Sequence, residues 1–126
     1  MKNLRKKALA FILVASMTAV FAISASAGSV SGNCGGASTS GVTSMYSTYA
    51  VGTTNSSPAA QCSVTVYFQY GYGSEQRTES AWNANWAPST SAQARASVSG
   101  YIVPLKAWSS HTVSYNGQTW SATSYS

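Results

Sequence analysis

The stretch HTVSYNGQTWSATSY, residues 111–125, decides the fold class. Asn116-Gly117 sits between two alternating runs. That dipeptide suits a two-residue type I′ turn, whose central residues both need positive φ. Such a turn fixes the register. Tyr115 falls opposite Gln118, Val113 opposite Trp120 and His111 opposite Ala122. On the other face Ser114 meets Thr119 and Thr112 meets Ser121. One face is apolar and aromatic and the other is all hydroxyl, which is the pattern of a sheet packed on one side and wet on the other.

Working back along the chain, SVTVYFQYGYG (63–73) repeats the same period. Val64, Val66, Phe68 and Tyr70 point one way, and Ser63, Thr65, Tyr67 and Gln69 the other, so a strand with one buried face is predicted. Gly71 and Gly73 permit a turn. AQARASV (92–98) sends Ala94, Ala96 and Val98 inward and Arg95 and Ser97 outward. Gly100 marks a bend, and Pro104 ends regular pairing or lies on an edge. GVTSMYSTYAV (41–51) favours a strand by its β-branched and aromatic content, and GTTNSSPA (52–59) a loop. Residues 74–88 read either as a short helix capped by Ser74, with Trp82 and Trp86 on one face, or as a long loop closed by Pro88. Five or six short strands and no second helix predict an all-β fold: a small antiparallel β-sandwich with a C-terminal β-hairpin.

The first 27 residues read as a secretory signal peptide. Lys2, Arg5, Lys6 and Lys7 precede an apolar stretch from Ala8 to Ile23, and Ser24-Ala25-Ser26-Ala27 supplies small residues before a cut after Ala27. The mature chain of 99 residues would be secreted and extracellular, with a flexible Gly/Ser-rich segment at 28–41 and one domain at 42–126. Four of the seven basic residues leave with the signal. Arg77, Arg95 and Lys106 then face Glu75 and Glu79, a net charge of +1, too little for a nucleic-acid surface. In an oxidising compartment the two cysteines, Cys34 and Cys62, are expected to form a disulfide.

The chain is poorly equipped for catalysis. It has no Asp, one His and two Glu. No G-x-S-x-G elbow or metal-ligand spacing occurs, and no cofactor motif is found. Glu75 and Glu79, four apart, read as a solvated turn partly offset by Arg77 rather than as a pair of glycosidase carboxylates. The aromatic residues are the remaining resource, because they are too many for so small a core. Trp82 and Trp86, with Tyr46 and Tyr49, are the candidate ligand-binding residues, since exposed rings stack on sugars and anchor interfaces.

VTSMYSTY (42–49), SVTV (63–66), ARASV (94–98) and the late SYN (114–116) before Trp120 occur in the order in which they stand in the lactococcin 972 family of bacteriocins, which the chain resembles. The resemblance implies a small exported β-sandwich, non-enzymatic, that engages a cell-envelope target such as lipid II of Gram-positive bacteria. This chain is longer than that pattern, carries two cysteines and has an additional tryptophan-bearing segment. The alternative reading is a secreted carbohydrate-binding or adhesion module using exposed Trp and Tyr. Either way the expected partner is an envelope component or glycan, with no nucleic acid, and a weak homo-oligomer is open to the chain.

Overall fold

The computed structural model describes residues 26–126 as six strands and no helix. They are β1 (Ser26–Cys34), β2 (Ala37–Met45), β3 (Tyr49–Tyr72), β4 (Glu75–Ser97), β5 (Val103–Tyr115) and β6 (Gln118–Tyr125). The expected signal segment lies outside the described residues up to position 25. Every pairing is antiparallel, and all six strands belong to one sheet in the order β1-β2-β3-β5-β6, with β4 on the remaining side of β3. The chain is therefore all-β and antiparallel, as its periodicity predicts.

Strand β3 organises the molecule. Its first half pairs with β2 and with the end of β4, and its second half with β5 and the start of β4. The register slips between Asn55 and Cys62, where Pro58 has no N–H to give a ladder. The Thr54 hydroxyl donates to the Ser63 carbonyl at 2.9 Å, although nine residues of straight strand would separate them by about 30 Å. The strand thus turns sharply on itself, and its halves belong to two facing layers. GTTNSSPA, expected as a loop, is this corner, kept within the ladder rather than outside it.

The layers are two parts of a single coiled sheet that nearly closes into a barrel. Within the described residues β1 pairs only with β2 and β6 only with β5, yet β1 and β6 lie side by side. Gly28 seats against the Tyr125 carbonyl so closely that a Cβ there would collide with it.

Several expectations for individual segments are corrected. Residues 28–41, expected to be loose, form β1 and the start of β2, joined by a turn at Gly35-Gly36 with φ of 56° and 98°. The 41–51 strand is broken at Tyr46, whose N–H bonds back to the Tyr49 carbonyl at 2.8 Å. Residues 74–88 form neither a helix nor a long loop: Ser74 lies in a tight turn, and the rest is the first half of β4. The C-terminal hairpin pairs in the predicted register throughout.

Val64, Val66 and Phe68 are at most 1% exposed, and they form the core with Tyr70, Ala50, Ala60, Ala94, Ala96, Ala107 and Val113. Trp120 packs against its margin.

Candidate functional site, the outer aromatic face

The register that buries Val64, Val66 and Phe68 turns the alternate residues of the same sheet outward. Four strands then line up in rows. Ser80 of β4, Tyr67 of β3, Trp108 of β5 and Tyr125 of β6 form one row. Trp82, Thr65, Ser110 and Thr123 form the next, and Ala84, Ser63, Thr112 and Ser121 a third. Alternation beyond Asn85 puts Trp86 on the same side, beside Gln61, whose side-chain amide donates to the Trp86 carbonyl at 3.0 Å. Every one of these side chains is exposed or half-exposed, so no other part of the described chain covers this face. By strand spacing and rise it measures on the order of 14 Å across, and Trp82 and Trp86 stand about 13 Å apart along β4.

The centre of the face is rigid. Tyr67 and Trp108 stack at 5.3 Å between ring centroids with 14° between planes. Lys106 stands opposite Gln69, at the margin of these rows, and its ammonium lies 5.3 Å from the Trp108 ring centroid. Trp82 and Trp86 are 62% and 65% exposed, and Tyr125 is 66%. Around the rings stand hydroxyls: Ser63, Thr65, Ser80, Ser110, Thr112 and Thr123. Aromatic faces meet the C–H faces of sugars or other flat apolar groups, while hydroxyls donate and accept around them.

The structure brings together Trp82 and Trp86 from the four expected binding residues and leaves Tyr46 and Tyr49 elsewhere. Tyr46 is 5% exposed and stacks on Tyr49 at 4.4 Å, in the turn between β2 and β3. Arg95 covers Tyr49 from 3.8 Å. These two rings brace a corner of the fold instead of presenting a surface. Trp108 and Tyr125 were missed as members of the face. The signal for Trp108 was present, because a hairpin with His111 and Val113 inward requires Trp108, Ser110 and Thr112 outward.

On the inner side lies a buried polar cluster. His111 is 1% exposed. Its Nδ1 is 2.8 Å from Thr54 Oγ1 and its Nε2 is 2.7 Å from Ser124 Oγ. Because Thr54 gives its proton to the Ser63 carbonyl, Nδ1 donates to Thr54 and Nε2 accepts from Ser124. Thr43 Oγ1 lies 2.6 Å from both Ser124 Oγ and Ser109 Oγ. Burial pushes the imidazole down to about 4. A serine next to an imidazole is the pairing used in nucleophilic catalysis, but here Ser124 is 1% exposed and the third group is a threonine. Ser124 Oγ is buried within the cluster, which ties β2, β3, β5 and β6 together.

Cys34 and Cys62 are not joined, contrary to expectation. Each sulfur faces backbone carbonyls of a different part of the sheet. Cys34 Sγ lies 3.3 Å from Gln118 O and 3.5 Å from Val113 O, and Cys62 Sγ lies 3.6 Å from both Ala60 O and Ser89 O. Both are buried and pack as small apolar side chains with weak S–H donors. Burial raises the Cys62 thiol above its ordinary value.

No protein-family model matches the chain, and neither curated proteins nor solved structures give a significant match.

Proposed function

We propose that this chain is an exported, non-enzymatic binding protein of bacteriocin type, whose outer aromatic face holds a glycan-bearing component of the cell envelope. Lipid II of Gram-positive bacteria is the first candidate. The observation that carries the reading is the uncovered four-strand face, where Trp82, Trp86, Tyr67, Trp108 and Tyr125 stand among hydroxyls. Large flat rings lose few rotamers on binding, and a β-sheet holds them at fixed spacing. Lys106 adds one positive charge at the edge of the stacked pair, suited to an anionic group beside a sugar. The resemblance to the lactococcin 972 family points the same way.

The same face also fits a carbohydrate-binding or adhesion module, so the two readings are separated by consequence. Purified protein is spotted on lawns of Gram-positive indicator strains and, in parallel, incubated with lipid II-doped vesicles, plain vesicles and insoluble peptidoglycan. Growth inhibition together with retention on the lipid II vesicles supports the bacteriocin reading. Retention on peptidoglycan without inhibition favours the module. If no glycan-bearing matrix retains the protein, or if Trp108→Ala is retained as well as the parent, the aromatic face is not the binding surface.

A further inference from the structure

The first half of β4 has a free side. Within the described residues β4 pairs with β3 and with no other strand, so its far edge carries unpaired backbone groups. From Asn83 onward the strand is tied to its own returning half: Asn83 Nδ2 donates to Gln93 O at 2.9 Å and Asn85 Nδ2 to Ser91 O at 2.6 Å. The segment Glu75–Ser80 has no such tie, and all six of its residues are exposed. Its inward-alternating side chains are charged. Glu75, Arg77 and Glu79 stand opposite Tyr72, Tyr70 and Phe68, where a covered strand would carry apolar residues.

An open edge invites another strand, and natural proteins protect such edges with charge. A guard works best with one sign. Here the signs alternate, minus, plus, minus, at 75, 77 and 79, and that pattern is complementary to its own reversed copy. An antiparallel pair about a two-fold axis at Thr78 sets Arg77 opposite Glu79 of the second copy, twice, with Gln76 opposite Ser80 and Glu75 opposite Ala81. A register centred on Arg77 or on Glu79 would put like charges opposite one another. One centred on Gln76 runs into the Gly73–Ser74 turn after two residues. Arg77 is held by Glu75 at 2.6 Å, while Glu79 takes part in no ion pair among the described residues. Cross-strand pairs of opposite charge stabilise a sheet and like pairs destabilise it.

We propose that the Glu75–Ala81 edge of β4 is a self-association site, where a second copy of this chain adds its own β4 antiparallel about Thr78. The pairing joins the two sheets into one and makes their outer aromatic faces continuous, so that a dimer presents Trp82 and Tyr67 from both copies.

The experiment is sedimentation velocity of the purified protein over a micromolar-to-millimolar range, with the variants Arg77→Glu and Glu79→Arg separately, mixed, and combined in one chain. Circular dichroism confirms that each is folded, as expected for exposed positions. The parent should show a concentration-dependent monomer–dimer equilibrium. Each single variant sets like charges opposite and should dimerise at least tenfold more weakly. The equimolar mixture and the double variant restore opposite charges and should recover the parent's association. A parent that stays monomeric throughout overturns the proposal, and so do single variants that associate like the parent or a mixture that fails to pair. Trp108→Ala, on β5 and away from this edge, should dimerise normally whatever it does to glycan binding, so failure of one reading leaves the other standing.

Discussion

His111 shows how one residue sets a condition for the whole fold. Its ring is buried between two hydroxyls, and burial holds it at about 4 against an unperturbed 6.5. The unfolded chain binds the proton more readily than the folded one, so stability is complete above pH 6.5 and falls as pH drops from there toward 4. The loss by pH 4 should be about 3 kcal/mol, and chemical-denaturation midpoints measured between pH 8 and pH 4 check it. A His111→Gln variant should flatten that slope. Gly41 makes the site possible, because a Cβ there would run into the imidazole ring. Gly41→Ala should therefore cost about 1–3 kcal/mol by overpacking, read as a lowered melting temperature. The two thiols answer to the same burial. In the native protein they should resist an alkylating reagent, and in denaturant without reductant both should be labelled, giving two adducts by mass spectrometry.

At the scale of elements, the strand from Ser63 to Tyr70 has two faces with separate duties. Phe68→Ala removes a fully buried ring and should cost about 3–5 kcal/mol. Trp82→Ala, at the exposed end of the same sheet, should change stability by less than about 1 kcal/mol but weaken retention on glycan. Thermal melts and retention assays on both variants check the division. These faces were legible beforehand because Val64, Val66, Phe68 and Tyr70 alternate with polar residues, and because Asn116-Gly117 fixes a register. The first half of strand β4 was not legible. It is exposed on both faces, so Glu75 to Ser80 carries no alternation of burial to read. Nor was β1, whose Gly and Ser residues look like a tether until β2 and β6 close around them. At the corner of β3, Asn55, Ser56 and Pro58 carry the chemistry of a loop, and pairing of Asn55 and Ser56 with β2 keeps the corner in a strand. The aromatic face was half visible. Trp82 and Trp86 stand out by residue type, but the rows that add Trp108 and Tyr125 exist only once four strands are in register.

At the scale of the molecule, one coiled sheet supplies both a surface and a brace: rings and hydroxyls outside, and outside the apolar core an inner cluster of hydroxyls about one imidazole. Both layers pass through β3, so neither has a core of its own to fall back on. Chemical unfolding followed by tryptophan fluorescence and by far-ultraviolet dichroism should give coincident single transitions, and transitions that separate would mean the layers melt independently. The seam between β1 and β6 has a further consequence, for the order of events in time. The first strand of the sheet finishes its packing only against the last, so Gly28 must wait for Tyr125. A chain emerging from its N-terminus can form the β1–β2 hairpin early but cannot complete this sheet until β6 arrives. Refolding should accordingly be slow for so small a protein, on the order of milliseconds to seconds, as topologies dominated by distant contacts are. Until β6 is added, a growing chain holds β1 against β2 alone, without its second neighbour.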